Sequence, residues 1–234
     1  MEDNNYIKHN LSDVMERIEK AADSAGKKAN DITLIAVTKT VDTQRMQAAC
    51  DFGVQHMGEN RVQEYLLKKN EINGKIFWHL IGQMQTNKVK SIIGGILLLQ
   101  SLDRLSLAEE IEKQCIKNET ELQTLIEINI AREESKAGID INELDSFVEK
   151  LSAYKHIMVK GLMTVAPLTG DKEYVRSCFQ NMYRQFERLK QYETENLQMQ
   201  YLSMGMSQDY EEAILEGSNM LRIGSAIFGE RPKK

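Results

Sequence analysis

Apolar residues along this chain fall into two textures: short runs rich in β-branched residues, and longer stretches in which apolar positions return with the helical period. The short runs are ITLIAVT (32–38), VQHMG (54–58), KIFWHLIG (75–82), GILLLQS (95–101), LQTLIEIN (122–129), IMVKGLMTV (157–165), MQYLSMG (199–205) and MLRIGSAIF (220–228). Each reads as a strand, which makes eight. An amphipathic helix precedes them, with Leu11, Val14, Met15, Ile18 and Ala22 on one face and Gly26 placed to end it. Helical segments lie between the runs. One is 103–117, with Leu105, Ala108, Ile111 and Cys115 on one face; another is 172–190, with Val175, Cys178, Phe179, Met182, Phe186 and Leu189. Strands alternating with helices in this way predict an α/β fold, closed into a single (β/α)8 TIM barrel with an extra N-terminal helix. An open doubly wound sheet is the rival. It usually places GxGxxG after its first strand, and the first run here leads into TKT.

Length and composition suit that barrel. The chain has 234 residues, 41% of them hydrophobic, and only two prolines with no linker-like tract, so residues 1–234 are expected to form one domain. A net charge of -5 gives no reason to expect nucleic acid, and the basic ending Arg231, Lys233, Lys234 is too short for a binding arm. The opening MEDNNYIKHN lacks the apolar run of a secretory leader, and the longest apolar stretch, near 92–99, is too short to span a bilayer. A cytoplasmic protein without membrane contact is the expectation. Cys50, Cys115 and Cys178 form no CxxC pair, which suits buried thiols in a reducing compartment. His9, His56, His79 and His156 show neither HxH nor HExxH spacing, so no metal site is expected.

In a barrel of this kind the chemistry gathers at the C-terminal ends of the strands, often with a phosphate pocket after strands seven and eight. Those ends are polar here: Lys39; Glu59 and Asn60; His79 and Gly82; Met163 and Thr164; Ser203 to Ser207; and Arg222, Gly224 and Ser225. Alternation puts Ile35, Val37 and Lys39 on one face of the first strand. Facing inward, the Lys39 amine would sit partly desolvated in the barrel mouth, a setting that lowers a lysine pKa and favours Schiff-base chemistry. Facing outward, it would snorkel to solvent. Gly224 and Ser225 offer backbone N–H groups and a hydroxyl to a phosphate, or else serve strand packing. Ser207 reads as a helix N-cap, with Asp209, Glu211 and Glu212 in the first turn. Arg222 shares the side of Gly224, and an inward guanidinium needs an anion, a ring acceptor or a structural partner such as Glu127. His79 reads equally as a satisfied core histidine or a functional one, and Lys88 and Lys90 as an anion-attracting pair or a solvated helix face.

The stretches IAVTKT, GENRVQE, WHLIGQMQTNK, EINIAREESKAG, GLMTVAP, LSMGMSQDYEEAI and RIGSAIFG, in that order, cover almost the whole chain. Together they resemble the YggS/PROSC family of pyridoxal phosphate homeostasis proteins, similar in turn to the barrel domain of alanine racemase. The resemblance implies a fold type III barrel that holds pyridoxal 5'-phosphate (PLP) as a Schiff base on Lys39. It implies phosphate contacts on Ser203, Gly224 and Ser225, ring-flanking residues on Asn60 and Met204, and a pyridine-side arginine on Arg222; Met163 is added to the cofactor set from its strand end. The chain departs from the family pattern at Val41-Asp42, where a lysine and proline are common, at Met57, where an aromatic is common, and at Gln83, where a histidine is common.

An arginine at the pyridine nitrogen can only donate, which disfavours strong carbanion chemistry. The implied function is therefore PLP homeostasis, as a carrier or buffer that hands the cofactor to apo-PLP enzymes, in a protein expected to be a monomer. A PLP-dependent amino-acid racemase or related aldimine enzyme, with His79 or Lys39 as bases, is the alternative. A cofactor-free Schiff-base aldolase is a third reading.

Overall fold

The computed structural model describes residues 4–133 and 136–230, so Arg231, Lys233 and Lys234 lie outside the described residues. The chain runs α1 (Asn5–Ser24), β1 (Thr33–Val37), α2 (Thr43–Asp51), β2 (His56–Glu59), α3 (Val62–Lys68) and β3 (Phe77–Leu80). It continues through β4 (Leu98–Leu102), α4 (Leu105–Lys117), β5 (Leu122–Glu127), α5 (Leu144–Leu151), β6 (Ile157–Met163) and α6 (Lys172–Lys190). It closes with β7 (Leu197–Ser203), α7 (Tyr210–Leu215), β8 (Met220–Ile223) and α8 (Ser225–Phe228). The strands are parallel and pair in chain order, with β8 returning to β1, so the sheet is a closed barrel.

Two apolar layers follow from strand alternation. Inside the barrel, Ile35, Leu98, Leu125, Met163 and Met220 pack on one another. Their strand neighbours Ala36, Leu99, Ile126, Leu162 and Leu221 face outward into the layer between sheet and helices. Helix α1 buries Ile7, Leu11, Val14, Ile18, Ala21 and Ala22 as it lies across α2, α7 and α8. Met15, expected on that face, is exposed, because the buried stripe follows 7-11-14-18-21 and leaves position 15 at its margin.

Two expected elements differ. The last apolar run ends as a strand at Ile223, and Ser225–Phe228 is helical. Gly224 leaves the extended conformation there, and the N–H groups of Ile227 and Phe228 donate back to its carbonyl. Between β3 and β4 the TNKVK segment forms a 3-10 turn, Thr86–Ser91, in place of an α-helix, with Val89 buried and Lys88 and Lys90 near its end. Gly161 marks a register shift between β6 and β7: its φ is +147°, and a Cβ there would lie 1.8 Å from the Tyr201 carbonyl oxygen. No helix among the described residues is long and apolar enough to cross a membrane.

Candidate functional site

The C-terminal ends of the strands surround a cavity of about 620 Å3. The row Ile35, Val37, Lys39 faces inward: Ile35 belongs to the inner core, and Val37 and Lys39 line the cavity wall. Lys39 is half-buried just beyond β1, and the next residue, Thr40, has φ +63°, the left-handed region that a β-branched residue adopts only when held. What holds it comes from α3. The Thr40 N–H donates to Glu64 Oε2 (2.8 Å), and Lys68 Nζ donates to the Thr38 carbonyl (2.9 Å), Glu59 Oε1 (2.8 Å) and Glu64 Oε2 (3.2 Å). The Thr38 hydroxyl also donates to Glu59 Oε1, at 2.7 Å. Glu59 is fully buried, and burial raises its pKa against the lowering effect of Lys68 and Thr38. Glu64 and Lys68 stand four apart on one helix, a pairing visible in the sequence, but their grip on residues 38–40 is not.

Asn60 lines the wall beside Ile81, and the chain at Gly82 passes so close that a Cβ would lie 2.5 Å from the Asn60 carbonyl oxygen. Arg222, Gly224 and Ser225 line it from β8 and the corner beyond. Met163, Ser203 and Met204 do not reach the wall: Met163 lies in the inner core, Met204 packs in the outer layer, and Ser203 is buried against Arg222. Ser207 does line the cavity, and its hydroxyl oxygen accepts the N–H groups of Gly224 (3.3 Å) and Ala226 (3.2 Å). Its expected role as an N-cap is corrected. Asp209 precedes α7, with its carboxylate accepting the Met206 N–H at 2.6 Å, which frees the Ser207 hydroxyl for the β8 corner. Lys136 closes the far side, with Nζ donating to the Ala166 carbonyl at 2.9 Å.

Arg222 is buried, and its guanidinium donates to Ser203 Oγ (2.6 Å) and the Thr164 carbonyl (2.7 Å). Burial lowers its pKa to about 10, opposed by the charges of Glu127 and Asp209, so it stays cationic at neutral pH. Its hydrogen bonds therefore go to Ser203 and Thr164, while Glu127 attracts it from farther away. Glu127 itself is pushed up to about 7 by burial and by Asp103, with Arg222 opposing. His79 is a satisfied interior histidine, its Nε2 2.9 Å from His56 Nδ1 and its Nδ1 3.2 Å from Gln100 Nε2. Burial, with His56, lowers its pKa to about 3. Among the described residues no group of three or more His, Cys, Asp or Glu is placed to hold a metal ion.

A family model described as the N-terminal domain of alanine racemase matches residues 3–232. The pyridoxal phosphate homeostasis protein of Aquifex aeolicus is 40% identical over 222 residues, 94% of this chain and 96% of that protein. The chain belongs to the pyridoxal phosphate homeostasis protein family. The family's Escherichia coli K12 member is 37% identical over 235 residues, 97% of each. Among solved structures, PipY of Synechococcus elongatus with PLP bound is similar at a TM-score of 0.79 and 28% identity, covering 91% of this chain and all of that one. An alanine racemase of Clostridium difficile shares the fold at a TM-score of 0.75 and 15% identity, covering 98% of this chain and 58% of that one. Measured against the family pattern, the departures Val41, Met57 and Gln83 are not among the residues that line the cavity. Met57 is buried in the outer layer, Val41 donates its N–H to the Thr38 carbonyl at 2.9 Å, and Gln83 is exposed.

Proposed function

We propose that this protein binds PLP as a Schiff base on Lys39 and serves PLP homeostasis as a carrier or buffer that passes the cofactor to apo-PLP enzymes. The observation that carries this reading is one cavity lined by an amine at Lys39, the hydroxyls of Ser207 and Ser225 with the backbone of Gly224, and the guanidinium of Arg222. The donor set fits the group: an amine for an aldehyde, the hydroxyls of Ser207 and Ser225 for a phosphate dianion, and a pure donor for a pyridine nitrogen. When bound, PLP supplies an electron sink whose strength depends on protonation of its ring nitrogen. Arg222, cationic at neutral pH, would hold that nitrogen as a donor and would not protonate it.

The same geometry disfavours turnover. Racemisation needs acid–base groups on both faces of a substrate, and His79, a candidate base, is buried away from the cavity wall with both ring nitrogens engaged.

The test is transfer. Purified protein loaded with PLP is mixed with an apo-PLP enzyme, and recovery of that enzyme's activity is compared with recovery from free PLP at equal concentration. Faster or better-protected recovery supports the carrier; recovery no better than from free PLP in the presence of competing amines removes the donor role. Deuterium incorporation at the α-carbon of amino acids in heavy water would make the protein an enzyme instead.

A further inference from the structure

Polar side chains cross the barrel interior in an unbroken hydrogen-bonded line. It starts at His56, the first residue of β2, half-buried at the N-terminal end of the barrel, and ends at Arg222 on the cavity wall. Between them stand His79 on β3, Gln100 on β4 and Ser203 at the end of β7. The links are His56 Nδ1 to His79 Nε2 at 2.9 Å, His79 Nδ1 to Gln100 Nε2 at 3.2 Å, Gln100 Oε1 to Ser203 Oγ at 2.7 Å, and Ser203 Oγ to Arg222 Nη1 at 2.6 Å.

The direction of every proton follows from one end. A guanidinium only donates, so Ser203 accepts from Arg222 and donates its own proton to Gln100 Oε1. That leaves the Gln100 amide N–H for His79 Nδ1, which puts the His79 proton on Nε2, donated to His56 Nδ1. A proton arriving on His56 Nδ1 would face the Nε2–H of His79 donor to donor. Relief requires moving the His79 proton to Nδ1, turning the Gln100 amide and leaving the Ser203 hydroxyl without its acceptor. An intact line and a protonated His56 therefore exclude each other.

We infer that Gln100 and His79 are positioning residues for Arg222, and that the line couples occupation of the cofactor cavity to the protonation of His56 at the opposite end of the barrel. The inference rests on the reading that Arg222 faces the cofactor ring. By linkage, a ring acceptor that fixes Arg222 stiffens the line and lowers the His56 pKa, and protonating His56 as pH falls weakens cofactor binding by the same factor. Around His56, Ile35 is its register partner on β1, Phe77 stacks on it from β3 at 4.9 Å, and His79 is its bonded neighbour. The ammonium of Lys75 lies 5.0 Å from the Phe77 ring. Burial already holds both imidazoles below the ordinary histidine range.

The experiment is 15N NMR of the imidazoles in the intact protein, without and with PLP, with attachment to Lys39 read separately by borohydride fixation. The expected result is the Nε2–H tautomer at His79 in both states and a downward shift of the His56 pKa on loading. In Gln100→Leu that shift is lost while Lys39 still takes the cofactor. In Gln100→Glu, which keeps an acceptor for Ser203 and offers a second one to His79, the His79 proton moves to Nδ1. Attachment at Lys39 with no response at His56, or a His79 Nδ1–H tautomer in the unaltered protein, overturns the coupling and leaves the carrier reading standing. No attachment at Lys39 overturns both.

Discussion

Replacing Lys68 by methionine tests how the Lys39 loop is held. Methionine keeps most of the aliphatic stem and removes the ammonium that joins the Thr38 carbonyl, Glu59 and Glu64. Glu59 is then left fully buried with only the Thr38 hydroxyl on Oε1, and its Oε2 already has no partner. Removing one partner of a buried ion pair costs about 3–5 kcal/mol, because the remaining charge keeps its desolvation penalty. For a chain of this size that lowers the melting temperature by roughly 10 °C.

The pH dependence gives the cause its signature. Burial raises the folded-state pKa of Glu59 above its ordinary 4.5, and Lys68 opposes the rise, so the variant carries the pKa higher still. An acid whose folded pKa is raised binds more protons folded than unfolded between those two values, and its stability contribution is lost as pH rises through that window. The Lys68→Met penalty should thus be largest at alkaline pH and shrink as pH falls toward 4.5. Urea denaturation of both proteins across that range measures it. Adding Glu59→Gln should recover most of the loss, since the uncompensated charge is gone. A penalty below about 1 kcal/mol, or one that does not change with pH, would refute the argument.

Ser207→Ala should weaken PLP binding roughly tenfold, from the loss of one hydrogen bond to a charged group, and leave binding of pyridoxal, which has no phosphate, unchanged; equal losses for both ligands would contradict the placement of Ser207 at a phosphate site. Glu127, pushed from 4.5 up to about 7, is protonated in the folded chain over a range where it is ionised unfolded, so its contribution falls as pH rises across that range. Glu127→Gln should flatten the stability profile between those values, and an unchanged slope there would show that Glu127 titrates normally.

Periodicity alone made the barrel legible, because parallel strands buried on both faces and helices buried on one leave different spacings of apolar residues. Alternation placed Lys39 on the face of Ile35 and Val37, and Arg222 on the side of Gly224, but left open whether Lys39 turned inward or snorkelled to solvent; the packing of Ile35 in the inner core settles the direction of that row. What escaped was decided by closure of the sheet. Ser207 looked like a local helix cap, yet its hydroxyl is engaged by N–H groups of residues 224 and 226, whose position only the folded corner defines. Ser203 and Arg222 meet across neighbouring strands, so the serine serves the arginine in place of the cavity wall. The clamp of Glu64 and Lys68 on residues 38–40 likewise joins a helix to a loop more than twenty residues earlier.

Everything proposed for the cavity depends on attachment of the cofactor to Lys39. An absorption spectrum of the purified protein with PLP added, before and after borohydride, is recorded beside that of Lys39→Ala. The expected result is a Schiff-base band that borohydride fixes onto the peptide bearing Lys39 and that the variant lacks. No such band in either protein, or one that persists in the variant, would contradict it.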